Sequence, residues 1–263
     1  MDPTLGQIFC FASNFVPANY LACDGTLTPA AAYPDLAKLL GGTFGGDGTS
    51  TFALPKLPPV ATVSGAAMSW IMVAEGTNPD NGSFAQLGEV RPFALPPTPN
   101  SVLDQDWRKC DGRLLNIKGL EAMFSLVGTT FGGDGVTTFA LPKLTPLQSG
   151  SQPLDYYICV SGLYPSLNCN SVTITGNNSN FTDYLLAMVC LFAYAPGIAE
   201  RMCGFALAQG QVVPINQNTA VFSLVFNLYG APTATTFVLP NVKTGTDPIS
   251  YALVWLGIFP SRG

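Results

Sequence analysis

The sequence predicts an α+β protein built from three tandem units, each with short strands, one short helix and glycine-rich loops. Three observations carry that expectation. Gly41 to Leu57 reads GGTFGGDGTSTFALPKL, Gly128 to Leu144 reads GTTFGGDGVTTFALPKL, and a diverged copy, NLYGAPTATTFVLPNV, runs from Asn227 to Val242. Measured from the glycine of a preceding turn, Gly25, Gly112 or Gly210, the aromatics Phe44, Phe131 and Tyr229, and then Phe52, Phe139 and Phe237, fall at the same offsets in all three copies. Charged residues make up 10% of the chain, well below the roughly one quarter usual for soluble domains, while 27 glycines and 22 prolines come close to a fifth of the 263 residues. That balance suits loop-rich, partly β units whose surfaces are covered by neighbours. The repeats place unit one at 1–80, unit two at 81–168 and unit three at 169–263, the third led by an Asn/Ser/Thr-rich connector between Ser161 and Asp183.

Unit one opens on the apolar run Leu5 to Ala12, which has strand character, and reaches a turn at Cys23-Asp24-Gly25. Thr28-Pro29 reads as an N-cap with proline at the first helical position, and Leu36, Leu39 and Leu40 follow at helical spacing before Gly41 ends the segment. The repeated motif supplies a glycine loop and an extended run, Thr51 to Leu54, stopped by Pro55; the unit closes on the β-rich run Ser69 to Ala74. Unit two repeats this order with Leu87 to Val90, Trp107 ahead of Cys110-Asp111-Gly112, the helical face Met123, Leu126 and Val127, and the closing run Asp155 to Val160. Unit three opens at Met188 to Ala193, replaces the turn with Ala208-Gln209-Gly210, carries Val221, Leu224 and Val225 on its helix and closes on Tyr251 to Trp255. The segments before the turns vary, as in the insertion Pro96 to Gln105, and specific contacts are expected on such loops.

The chemistry is narrowed mainly by exclusion. The chain has no histidine, which removes Ser-His-Asp and Cys-His relays and imidazole metal sites. Seven cysteines, with no CxxC pair among them, disfavour a zinc site and a complete disulfide framework, and most read as small buried apolar residues. The net charge of −5, with scattered basic residues, argues against nucleic acid. No apolar run reaches the length of a membrane span, and the N-terminus lacks the charged and apolar regions of a signal peptide, so leaderless export or release by lysis is expected. Asn81-Gly82-Ser83, Asn177-Asn178-Ser179 and Asn180-Phe181-Thr182 match a glycosylation acceptor pattern that is common by chance.

The glycine-aspartate loops invite comparison with a phosphate loop, but no Gly-Lys-Ser/Thr follows and the next element is a strand. Gly45, Gly46 and Asp47, with Gly132, Gly133 and Asp134, therefore read as structural turns whose carboxylates accept backbone N–H groups. Asp24-Gly25, Asp111-Gly112 and Gly210 read the same way. Pairing the aspartates as a glycosidase centre is disfavoured, since Gln209 and Pro232 stand at the matching places in unit three. Trp107, equivalent to Tyr20 and Phe205, is a candidate glycan contact, as are the closing aromatics Trp70, Tyr157 and Tyr251, although a shared core requires aromatics at equivalent positions. No cofactor or metal is expected.

The opening MDPTLGQIFCFA, the turns Tyr20-x-x-Cys-Asp-Gly and Trp107-x-x-Cys-Asp-Gly, the TFGGDGxxTFALPKL motif and the ending GIFPSRG together resemble the phage tail collar domain, in the form found in microcystin-dependent proteins. The resemblance covers most of the chain three times over, whereas members of this type usually carry a single copy. It implies a non-enzymatic structural protein of a phage-tail-like assembly: a tail tip, a tail fibre or a subunit of a related self-assembling extracellular filament. The implied partners are further copies of the chain and other tail or filament proteins. A carbohydrate-binding adhesin that meets a cell-surface glycan is the alternative. Because collar domains belong to threefold assemblies, the resemblance also implies that three joined units form a pseudo-threefold knob. The histidine-bound metal of some tail fibres has no counterpart here.

Overall fold

A computed structural model of the chain describes residues 4–76, 85–94, 105–167, 184–195, 197–242 and 249–262. The insertion 96–104, the three glycosylation-like triplets and most of the connector from 168 to 183 lie outside the described residues.

The same order of elements recurs three times. Unit one contains β1 (Ile8–Phe11), β2 (Tyr20–Ala22), β3 (Leu27–Pro29), α1 (Pro34–Leu40), β4 (Thr51–Ala53), β5 (Val60–Ala61) and β6 (Ala67–Val73). Unit two contains β7 (Glu89–Pro92), β8 (Trp107–Lys109), β9 (Leu114–Asn116), α2 (Glu121–Val127), β10 (Thr138–Ala140), β11 (Leu147–Ser149), β12 (Gln152–Leu154) and β13 (Tyr156–Cys159). Unit three contains β14 (Met188–Phe192), β15 (Phe205–Leu207), β16 (Val212–Pro214), α3 (Thr219–Val225), β17 (Thr236–Val238) and β18 (Ser250–Val254), with a 3₁₀ turn at Ala199–Arg201. The result is a strand-rich α+β architecture.

Within each unit the closing strand lies between two others. β6 pairs with β1 and β2, β13 with β7 and β8, and β18 with β14 and β15, all antiparallel. The strands before the turns, β2, β8 and β15, are too short to announce themselves by alternation, and they form because the closing strand offers an open edge. The register also moves one expected equivalence. Trp70 sits opposite Cys10, Tyr251 opposite Leu191, and Tyr156 opposite Pro92, so Tyr156 rather than Tyr157 shares the place of Trp70 and Tyr251. Side chains alternate faces along a strand, so a one-residue slip sends the ring to the other face.

The opening strands join the units. Met188 at the start of β14 pairs with Phe11 at the end of β1, Glu89 at the start of β7 pairs with Phe192 at the end of β14, and Gln7 before β1 pairs with Phe93 after β7. Each opening strand thus touches both others, and each joint places one phenylalanine opposite a residue at or just before the start of another strand. The strands are buried along their full length, and one apolar cluster runs through all three units. Ala85, Phe93, Trp107, Tyr157 and Cys159 form a second, small cluster.

The helices bury most of the faces their sequences predict: Leu36 and Leu40 on α1, with Leu39 half-buried, Met123, Leu126 and Val127 on α2, and Val221, Leu224 and Val225 on α3. The start of α1 differs from expectation. Thr28-Pro29 belongs to β3, whose residues pair with Thr51–Ala53, and the helix begins one proline later, at Pro34. A proline at the first helical position is the expected signal, since its missing N–H is not needed there.

Candidate functional site

The turns after β2, β8 and β15 are the most regular feature outside the central sheet. Leu57 N–H donates to the Cys23 carbonyl, Leu144 to Cys110 and Val242 to Ala208, at 2.9, 3.0 and 2.9 Å. Leu54, Leu141 and Leu239 likewise donate to Thr26, Arg113 and Gln211. Asp24, Asp111 and Gln209 bridge to Lys56, Lys143 and Asn241. Gly25, Gly112 and Gly210 take φ of 87°, 84° and 76°, and a Cβ there would meet the facing side chain at 3.0–3.2 Å, which is why glycine persists in all three. Asp24 Oδ1 accepts from Thr26 N at 2.9 Å and Asp111 Oδ1 from Arg113 N at 3.2 Å. In unit three the Gln211 amide oxygen takes over, accepting from Gln209 N at 3.2 Å.

The glycine-aspartate loops are self-contained. Asp47 Oδ1 accepts the backbone N–H of Thr49, Ser50 and Thr51 at 2.8, 2.7 and 2.9 Å, and Oδ2 accepts the Ser50 hydroxyl. Asp134 does the same with Val136, Thr137 and Thr138 at 2.9, 2.8 and 2.7 Å, and with the Thr137 hydroxyl at 2.6 Å. The Ser50 and Thr137 hydroxyls first, then the backbone donors, hold both carboxyls well below the usual carboxylate range. A carboxylate with its lone pairs so engaged and its pKa so low is neither a general acid nor a base near neutrality. Gly46 and Gly133 carry φ of 85° and 98°, and a Cβ on either would come within 2.6 and 2.5 Å of the following strand. In unit three, where Pro232 replaces the aspartate, Thr233 Oγ1 accepts from Thr235 N and Thr236 N at 3.2 and 2.9 Å. Its position one residue after Pro232 kept Thr233 out of a position-by-position reading.

Trp107, the sequence-based candidate for a glycan contact, is 1% exposed. Its ring stands edge-on to Phe93, with centroids 5.1 Å apart, and faces the Arg91 guanidinium at 5.3 Å. Its Nε1 is buried without a hydrogen-bond partner among the described residues. The closing aromatics Trp70, Tyr156, Tyr157 and Tyr251 are buried or half-buried.

The charged group beside Trp107 is not among the candidates that sequence reasoning singles out. Glu89 is fully buried and Arg91 nearly so. Arg91 Nε donates to Glu89 Oε1 at 2.8 Å, Nη2 to Oε2 at 2.9 Å and Nη1 to Gln7 Oε1 at 2.9 Å, while its guanidinium lies 4.6 Å from the Phe9 ring. Tyr184 OH and Gln86 N donate to Glu89 Oε2 at 2.6 and 3.1 Å. Two charges in an apolar opening strand, in a chain this poor in charge, were the available signal. The buried thiols are inert: burial pushes Cys159 up to about 12, and Cys10, Cys23 and Cys110 higher still. Cys203 is disulfide-bonded, so not every cysteine is the free apolar residue expected of most.

Contacts between units involve equivalent parts. Ser13 Oγ donates to the Leu224 carbonyl at the end of α3, and Ala195 N to the Leu126 carbonyl at the end of α2, at 2.8 and 2.7 Å. Val63 N donates to the Asn241 carbonyl and Lys56 N to Ser149 Oγ. Cys203 N donates to the Ser166 carbonyl and Ala18 N to the Ser261 carbonyl, both at 2.9 Å, so the segments after β13 and β18 each fasten to another unit. Exposed apolar side chains recur as well: Leu27, Leu114 and Val212, each the first residue of its strand.

A repeated structural unit, with braced turns, inert thiols and self-satisfied carboxylates, is the kind of module from which assemblies are built. The family model for the phage tail collar domain matches the chain three times, over residues 6–59, 88–147 and 188–246, and the chain belongs to that family as three tandem copies. No curated protein and no solved structure matches the chain.

Proposed function

We propose that this protein is a non-enzymatic structural component of a phage-tail-like assembly: a tail tip, a tail fibre or a subunit of a related extracellular filament. Family membership supports a tail fibre-type structural role and a virion-associated or extracellular place. Among the described residues no helix is long and apolar enough to cross a membrane. In this reading units 1–80, 81–168 and 169–263 are arranged about a pseudo-threefold axis, so that one chain does the work of three single-domain subunits. The observation that carries it is the joining of the opening strands, in which the end of each of β1, β14 and β7 pairs with the start of the next in a cycle. Partners are further copies of the chain and other tail or filament proteins, with no nucleic acid.

Negative-stain microscopy of the protein purified alone and with the particle that carries it tests the proposal. Incorporation into a tail-like particle or a filament supports it; discrete monomers that neither polymerise nor join a larger particle overturn it. The adhesin alternative, with Trp107 buried, rests on the loops around 96–105 for its glycan contacts. An empty glycan array would remove it.

A further inference from the structure

We propose that the hairpins β3–β4, β9–β10 and β16–β17 are contact surfaces between copies of this chain, seated through the outward side chains of Leu27, Leu114 and Val212. The proposal deepens the assembly reading above and rests on it.

Leu27, Leu114 and Val212 are 58%, 60% and 64% exposed, a position at which one large apolar residue is ordinary and three equivalent ones are not. Unit three has exchanged its Cys, its turn Asp and its GGDG loop, yet keeps an apolar residue here, where the side chain stays largely exposed among the described residues. The three strands read LTP, LLN and VVP and carry no charge. Each pairs with a single strand among the described residues, and Pro29 and Pro214 remove an edge donor from two of them. An edge so blocked favours contact through side chains over addition of a strand.

The charges beside these residues select the occupant. Asp24 faces Lys56 in unit one; Asp111 is ion-paired with Arg113 and faces Lys143 in unit two; Gln209 and Asn241, both uncharged, take these places in unit three. The surface is therefore close to neutral although the chain carries −5, so a second copy meets no repulsion there, and a strongly basic or acidic partner finds no complement.

Sedimentation velocity over a dilution series tests this on the wild-type chain, on Leu27→Ser, Leu114→Ser and Val212→Ser singly, and on the triple variant. The wild type is expected to form two-chain or larger species that dissociate on dilution. Each single substitution should weaken association by about tenfold and the triple variant should abolish it, with thermal unfolding unchanged because the positions are exposed. In a second measurement Leu27→Cys, Leu114→Cys and Val212→Cys are oxidised separately. The five described free cysteines are buried, so interchain disulfides should form at each new thiol. A wild type that stays monomeric at tens of micromolar, or the absence of a cross-link at all three positions, overturns the proposal. If the triple variant assembles like the wild type, the hairpin contact fails while the assembly reading stands. Failure of the wild type to join any particle under the microscope is the separate result that sinks the assembly reading.

Discussion

Units two and three fold alike from sequences that disagree at most of their conspicuous positions. Unit two holds Cys110-Asp111-Gly112, the Asp134 loop and a buried Glu89–Arg91 pair; unit three has Ala208-Gln209-Gly210, Pro232 with Thr233, and Met188 and Cys190 at the strand places of Glu89 and Arg91. What the units share is a glycine in the left-handed region at each turn, an aromatic opposite the helix, and hydrogen bonds of the same pattern across the brace. Glycine conformation and apolar register therefore specify the unit, and the polar groups are interchangeable ways of satisfying the same backbone donors.

The largest test of that comparison is the buried pair. Glu89→Ala or Arg91→Ala leaves an uncompensated buried charge and should cost about 3–5 kcal/mol in denaturant unfolding. The double change Glu89→Met with Arg91→Cys, which installs the residues of unit three, should cost far less than the sum of the single ones. Additive losses would show that the pair does not act as a unit. Next comes Trp107. Replacing it with Ala should cost about 3 kcal/mol through the cavity it leaves. Trp107→Phe, the residue of unit three, should cost under about 1.5 kcal/mol, because it also removes an indole N–H that has no partner among the described residues.

A smaller loss, about 1–3 kcal/mol, is expected for Gly133→Ala, since the added Cβ meets Phe139 and Thr138 at positive φ. Ala231→Gly at the same place in unit three should change stability by less than about 1 kcal/mol, unit three having already rebuilt its loop. Smallest is the effect of the exposed loop carboxylates. Their folded pKa lies below the ordinary 3.8, so their contribution is complete above that value and is lost as pH falls through the folded pKa. Unfolding measured between pH 5 and 2 should be less pH-dependent in the Asp47→Asn, Asp134→Asn double variant than in the wild type; identical profiles would show that the loops contribute nothing.

The repeats, the helices and the opening and closing strands were legible because each is marked by local sequence: Pro55 and Gly41 as stops, and Leu36 and Leu40 at helical spacing. The strands β2, β3 and their counterparts were not, since three residues are too few to show a period and their partners lie far along the chain. Thr28-Pro29 imitates a helix start because a proline that opens a helix looks the same as one that blocks a strand edge. Tyr156 and Tyr157 cannot be told apart by sequence, because adjacent aromatics look interchangeable until a register assigns each to a face. The Asp47 and Asp134 loops could be read from turn chemistry alone. Trp107 could not be placed, because an indole bound for a core and one bound for a sugar have the same sequence signature.

The joints among β1, β7 and β14, together with the clasp of Ser261 on Ala18 and of Arg262 over Phe15, bear on how the molecule fails under load. A linear array of repeats frays from its ends, each repeat leaning on its neighbours alone. Here no unit is terminal: peeling away any one of them strips an edge from both of the others. Heat or mechanical pull should therefore take the three units apart in one cooperative step rather than three.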